Sequence, residues 1–408
     1  MKFMKLGLLA AGAMALPAAA NSADDIINTG LLTLQDAPSS WTEAFAAGEG
    51  SIFFNYRWEE VDSSAVADVD NAHGSTLRTV VDYRTATYEG FSGYVQFENT
   101  SVIGESDRYS TANRPTIADP KGSDLNQAYV DMALGGGTLR VGRQEVVLDN
   151  ARFVGNVGWR QNHQSFDALA WVGGADLPFG IVYGYVDNIN TITAGALRTK
   201  SHILNISKDL DGVGKASVYG YALDVLAVPG LSTMTIGARI DGKMDLSDDM
   251  KMAYLLEYAT QSDYADNTSM DADYYHVKLG ADLGSFKVAV GQESLGSDNG
   301  LVGFSTPLAT KHAFNGWADK FLNTPAAGLE DLYFSAGTMV SGVNLSAVLH
   351  DFSSEFGSTD YGTELDFVAK YKANEYLTYG LKYADFSADS SGGMDDINKM
   401  WFWVTWAP

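Results

Sequence analysis

The chain contains no cysteine. That excludes disulfide frameworks, Cys-ligated zinc, iron–sulfur clusters and thiol nucleophiles. Proline is sparse, at 9 of 408 residues, so little interrupts extended structure. Beyond the first twenty residues there is no run of about 18 apolar residues, so helical membrane spans are excluded. Basic residues are scarce too, with 27 Lys and Arg against 51 Asp and Glu and a net charge of −24, which argues against a nucleic-acid partner. None of the six histidines sits in a nucleophile motif such as G-x-S-x-G, so nothing points to an enzyme. No metal or cofactor signature stands out. What the chain does have is 42 Gly, 21 Tyr and 19 Phe, a composition suited to strands joined by turns.

The first twenty residues, MKFMKLGLLAAGAMALPAAA, place Lys2 and Lys5 before the short apolar run Leu6–Leu16 and the small residues Ala18-Ala19-Ala20. This order of basic start, apolar run and small-residue cleavage site predicts an export signal, with Asn21 beginning the mature chain. Residues 21–50 are expected to form a periplasmic segment. It contains a short amphipathic helix over 36–48, capped by Ser39 or Ser40.

From residue 51 to 408 the hydrophobic period is two. Ile52, Phe54, Tyr56 and Trp58 share one face and Asn55 and Arg57 the other. Leu77, Thr79, Val81 and Tyr83 oppose Arg78, Asp82 and Arg84. Leu365, Phe367, Ala369 and Tyr371 oppose Asp366 and Lys370, and Leu377, Tyr379, Leu381 and Tyr383 oppose Lys382. Short turns such as Gly135-Gly136-Gly137, Asp211-Gly212, Pro229-Gly230 and Ser341-Gly342 separate some of these runs. Long polar connections separate others: 60–74, 101–124, 147–163, 186–199, 260–272, 295–328, 352–362 and 386–397. Short turns on one rim and long acidic loops on the other predict an all-β fold. It is a closed, transmembrane, antiparallel up-and-down β-barrel of about eighteen strands with long extracellular loops. A soluble sandwich would need linkers between domains of about 100 residues, and none is visible.

Residues 138–167 read TLRVGRQEVVLDNARFVGNVGWRQNHQSFD. The series Gly142-Arg143-Gln144, Asp149, Arg152-Phe153-Val154-Gly155, Trp159-Arg160-Gln161-Asn162 and Ser165-Phe166-Asp167 resembles the signature of the alginate-export family of outer-membrane porins. Segments 41–62, 75–104, 117–131 and 311–337 are written in the same style. The resemblance implies an 18-stranded barrel in the outer membrane. It also implies a channel, since alginate exporters pass an anionic polysaccharide through a basic constriction and other members are general porins. Such barrels end on an aromatic residue read by the barrel assembly machinery. Here Ala407-Pro408 follow Trp406, a departure that bears on assembly more than on fold.

The charges suggest where a solute would pass. All the arginines precede residue 240, and every basic residue after it is a lysine. Arg is a fixed cation with a fork that fits carboxylates. Arg78, Asp82, Arg84, Arg143, Asp149, Arg152, Arg160 and Asp167 are therefore the expected pathway residues, either as a cationic ladder or as an ion-pair network folding the loop against the wall. Arg143 shares parity with Leu139 and Val141, so it reaches the lumen only through a bulge or at a strand end. The long loop 295–328 either enters the lumen as a constriction or caps it, with His312, Trp317 and Asp319 its sharpest residues.

The leading functional expectation is a passive channel for small or oligomeric anionic solutes such as sugars, uronates or organic acids. The alternatives are a cation-preferring or general diffusion porin and a surface adhesion barrel. Expected partners are outer-membrane lipid and lipopolysaccharide, the assembly machinery and the solute. Divalent cations could gather on acidic loops such as Asp263, Asp266, Asp271 and Asp273, although no calcium-loop motif is present. Monomer and trimer are both open.

Overall fold

The computed structural model describes residues 38–64, 71–104, 114–173, 177–247 and 250–408. The export signal and residues 21–37 lie outside them. The predicted helix is a single short turn of helix, α1 (Trp41–Ala46), shorter than the 36–48 expected. Ser40 caps it: its Oγ accepts from Glu43 N–H at 3.2 Å, and Glu43 Oε2 accepts from Ser39 N–H at 2.7 Å. Trp41 packs edge-on against Tyr88, holding the helix to one rim.

Among the described residues twenty strands follow in chain order. They are β1 (Glu49–Ser63), β2 (Ala72–Arg84), β3 (Phe91–Val102), β4 (Gly122–Leu134), β5 (Gly137–Gln144), β6 (Ser165–Gly173) and β7 (Gly180–Asn190). Next come β8 (Ala196–Leu210), β9 (Gly214–Leu223), β10 (Thr233–Ser247), β11 (Met250–Asp263), β12 (Asp271–Asp282) and β13 (Phe286–Leu295). β14 (Ser297–Asp298) and β15 (Val302–Gly303) form a two-residue hairpin inside a loop. β16 (Leu329–Val340), β17 (Val343–Ser353), β18 (Asp360–Lys372), β19 (Leu377–Ala388) and β20 (Ile397–Trp406) complete the set. Apart from β14 and β15, they form one 18-stranded antiparallel sheet. β1 pairs with β20 from Phe54↔Trp406 to Ser63↔Ile397, so the ring closes. Closure leaves no unpaired strand edge, the condition for backbone to cross hydrocarbon as strands.

Side chains alternate across the wall as period two requires. Val277, Leu349, Leu365, Leu381 and Phe402 are exposed on the outside, whereas His276, His350, Glu364, Asp366, Lys382 and Trp401 are buried inside. Aromatic residues such as Phe286 and Trp406 lie exposed at the strand ends, where a barrel meets the membrane interface. On the rim that carries α1 and the C-terminus the connections are short. Gly135 and Gly136 (φ 60° and 76°), and Ser341 and Gly342 (φ 50° and 82°), make the left-handed pairs that two-residue hairpins need. Pro229-Gly230, read as a turn of this kind, instead opens a 3₁₀ turn in the β9–β10 connection on the opposite rim. Strand parity decides it: with both ends of the sheet on one rim, every connection that follows an odd-numbered strand up to β13 lies on the other.

Candidate functional site

Two of the long loops do not stay outside. The β5–β6 loop, residues 145–164, turns into the barrel, and Leu148, Ala151, Phe153 and Val154 are buried there. The β13–β16 loop, residues 296–328, meets it. Gly155 N–H donates to Leu308 O and Thr310 N–H to Ala151 O, both at 2.9 Å. Gln164 Nε2 donates to Gly155 O and Leu308 O. The fold of the first loop uses left-handed backbone at Asp149 and Ala151 (φ 52° and 63°), which reverses the chain toward the wall.

Each loop is fastened by charge. Arg152 donates from Nε to Glu293 Oε1 on β13 at 2.6 Å and from NH2 to Asn315 Oδ1 at 3.0 Å. Arg160 reaches Glu59 on β1 at 3.2 Å and Asp319 at 2.7 Å. Asp149 accepts from Asn205 on β8 at 2.6 Å and from Ser217 on β9 at 2.7 Å. From the facing loop, Trp317 N–H donates to Asp366 and Ala318 N–H to Glu364, both on β18. Arg152 and Asp319 have only 3% of their side chains exposed. Charges this deep persist only when paired and hydrogen-bonded.

Asp319 gathers three donors where the loops meet. It receives His312 Nδ1 at 2.6 Å, Arg160 NH2 at 2.7 Å and Lys399 Nζ at 2.8 Å. Burial works to raise its pKa, yet His312, Lys399 and Arg160 hold the carboxyl well below the usual range. Burial pushes His312 well below its ordinary value, against the pull of the Asp319 carboxylate. Its Nδ1–H then faces Asp319, and its Nε2 accepts from Lys382 Nζ at 2.9 Å. Trp159 stacks on His312 with centroids 4.8 Å apart. Arg57 lies over the same indole at 4.1 Å, and Lys382 lies 3.9 Å from Trp159 and 4.1 Å from Trp317.

At the base of the first loop Glu145 accepts from Asn156 at 2.5 Å and Asn126 at 2.6 Å, with His163 Nδ1 at 2.9 Å. Burial would raise its pKa, but the His163 charge and the His163 and Asn156 hydrogen bonds hold it down to about 2.

The predicted pathway residues separate into three places. Arg160, His312, Trp317 and Asp319 come together in the lumen, while Arg152 and Asp149 fasten the first loop to β13 and to β8 and β9. Arg78, Asp82 and Arg84 line the inner wall of β2. There Arg78 pairs with Glu98 at 2.8 Å, Asp82 accepts from Ser51 at 2.6 Å, and Arg84 bonds Tyr129 at 2.6 Å with Asp131 at 3.4 Å. Arg143 and Asp167 are a correction. They pair with each other at 2.7 Å on the outer face, because no bulge interrupts β4–β5 or β5–β6 at Arg143 and it keeps the parity of exposed Val141. Each of these arginines has a carboxylate partner, so the arrangement is the ion-pair network, not a free ladder. The sequence missed the partners. Glu59, Glu293, Asp331, Glu364, Lys382 and Lys399 sit at inward positions of their strands, and parity alone could have flagged them. Among the described residues, no cluster of His, Asp or Glu is set to hold a metal ion.

Residues 52–176 match the family model described as alginate export, the family the sequence resembles. No curated protein matches the chain in sequence. Among solved structures the chain is similar to Acinetobacter baumannii OccAB4, with a TM-score of 0.70 at 11% identity over 88% of this chain and 98% of that one. It is also similar to Pseudomonas aeruginosa OpdK, solved with vanillate, with a TM-score of 0.67 at 11% identity over 89% and 99%. Pseudomonas aeruginosa OccK9 (OpdG) gives 0.70 at 10% identity over 90% and 100%. At these identities the likeness is one of fold alone, the closed antiparallel barrel.

Proposed function

We propose that the chain is a passive outer-membrane channel for small anionic solutes, with its selectivity set where the β5–β6 and β13–β16 loops meet inside the barrel. One observation carries this reading. A closed wall, apolar outside and charged inside, encloses two loops fastened to the wall and to each other by buried ion pairs. A wall facing lipid outside and lined with charge inside is built to let water and polar solutes cross. A merely structural barrel would not need a charged, loop-narrowed interior.

The anionic class is the finer part of the proposal. The arginines are neutralised by their partners, so it rests on lysines. Lys278 alternates with outward Val277 and Leu279, and Lys370 with outward Tyr371. Neither makes an ion pair within 4 Å among the described residues. The family resemblance and the vanillate of a structural relative support a carboxylate-bearing solute. Planar-bilayer recording with the purified full chain tests both parts. Stepwise conductance in KCl with a reversal potential toward the anion is the expected result. An absence of steps overturns the channel, and a cation-side reversal potential overturns the anionic class in favour of the cation-preferring alternative.

A further inference from the structure

The helix α1 lies outside the bore. At the short-turn rim β2 and β3 carry outward side chains: Tyr83 shares the parity of exposed Val81, and Phe91 that of exposed Val95. Both touch the helix. Tyr83 Oη donates to Phe45 O, and the Trp41 ring centroid lies 6.4 Å from that of Phe91 and 5.1 Å from that of Tyr88. Ala86 N–H, in the connection between the two strands, donates to Ala44 O at 3.0 Å. The helix is thus laid against the lipid-facing side of the rim, with Ala44 fully buried on it.

The two largest residues of α1 are not used up by that contact. Trp41 remains 48% exposed and Phe45 58%. They stand four residues apart and share a face, whereas Glu43 and Ala46 lie round the helix from them. Outward Phe286, Tyr371 and Trp406 are exposed on the same rim, so the two rings continue an aromatic band that already faces lipid. The helix, WTEAFA, holds no Lys or Arg to attract an anionic headgroup.

We propose that α1 is an interfacial foot. Trp41 and Phe45 enter the boundary between headgroups and acyl chains of the periplasmic leaflet, and hold the short-turn rim at that depth by apolar contact with phospholipid. The foot needs only the closed barrel, so it stands apart from the channel reading and its solute.

A chain without cysteine can be spin-labelled at one chosen position. The full chain carrying F45C, A46C or F286C is labelled and reconstituted in phosphatidylcholine vesicles, with the heat-modifiable gel band reporting folding. Electron paramagnetic resonance power saturation then compares collision with oxygen, which concentrates among acyl chains, and with a nickel chelate, which stays in water. The oxygen-to-nickel ratio at 45 should exceed that at 46 by about threefold or more and approach that at 286. Adding phosphatidylglycerol should leave it unchanged. Equal ratios at 45 and 46 would overturn the foot. Shielding of position 45 from both reagents would put protein over the helix instead of lipid, and dipolar broadening would identify that protein as a second copy. A ratio that rises only with phosphatidylglycerol would replace apolar contact by headgroup charge. A second readout keeps the Phe45 ring in place: the tryptophan fluorescence lost in W41F should be quenched by phosphatidylcholine brominated high on its acyl chains. An unquenched difference would overturn the proposal for Trp41.

Discussion

Arg143 and Arg152 flank the point where β5 ends, and each grips a carboxylate through its Nε, at 2.7 Å and 2.6 Å. They differ in what surrounds them. The Arg143–Asp167 pair stands on the outer face with 28% and 36% of its side chains exposed. The Arg152–Glu293 pair has 3% and 2% exposed inside the bore. The same two-atom contact is thus an adjustable surface feature in one place and a structural commitment in the other. The outer pair can exchange its partner for water. The inner pair cannot, because losing one member strands the other in a dry interior.

The comparison breaks most easily at Arg152. Arg152→Ala leaves Glu293 buried without its cation and should cost about 3–5 kcal/mol. The expected readout is a lower temperature for loss of the compact, heat-modifiable gel band, with larger and noisier conductance as the loop loosens. A variant with wild-type stability and conductance would place the pair on a par with Arg143–Asp167. Asp319→Asn is next. It keeps the shape but removes the charge shared by Arg160, Lys399 and His312, and about 3 kcal/mol should go with it. If the β13–β16 loop is then released, single-channel conductance rises; an unchanged current would show that the loop is held by packing instead.

Glu145 sharpens the contrast through pH. Its folded pKa, about 2, lies below the ordinary value of 4.5. Its stabilisation, up to about 3 kcal/mol, is therefore complete above about pH 4.5 and is lost as pH falls toward 2. Thermal midpoints from pH 6 to 2 should fall more steeply for wild type than for Glu145→Gln. Parallel profiles would remove Glu145 from the fastening of the loop. The smallest effect belongs to Arg143→Ala. An exposed pair contributes less than about 1 kcal/mol, so melting temperature and conductance should stay within error of wild type.

Much of the barrel was legible because strand parity is a local property. Val277 against His276, or Leu365 against Asp366, can be sorted into two faces from neighbours alone. Arg143 was expected in the lumen through a bulge or at a strand end, and the unbroken register leaves it on the outer face instead. The loops were harder. Nothing near Arg152 in sequence names Glu293, which is 141 residues away, and nothing near Arg160 names Asp319, 159 residues away. Such pairings are fixed by the curvature that brings β1, β13, β18 and β20 around one bore. Pro229-Gly230 was misread for a related reason: its dipeptide signals a turn, but only the strand count tells which rim the turn is on.

The fastening of the loops also bears on how the ring is sealed. Arg160 ties to Glu59 on β1, and Asp319, its partner, ties to Lys399 on β20. Trp159 lies between Arg57 on β1 and Trp401 and Trp403 on β20. The two loops therefore form an internal splint laid across the seam where the first and last strands meet. A splint of this kind can set only after the final strand has arrived. Once set, it resists the sideways parting of β1 from β20 without relying on the backbone bonds of the seam alone.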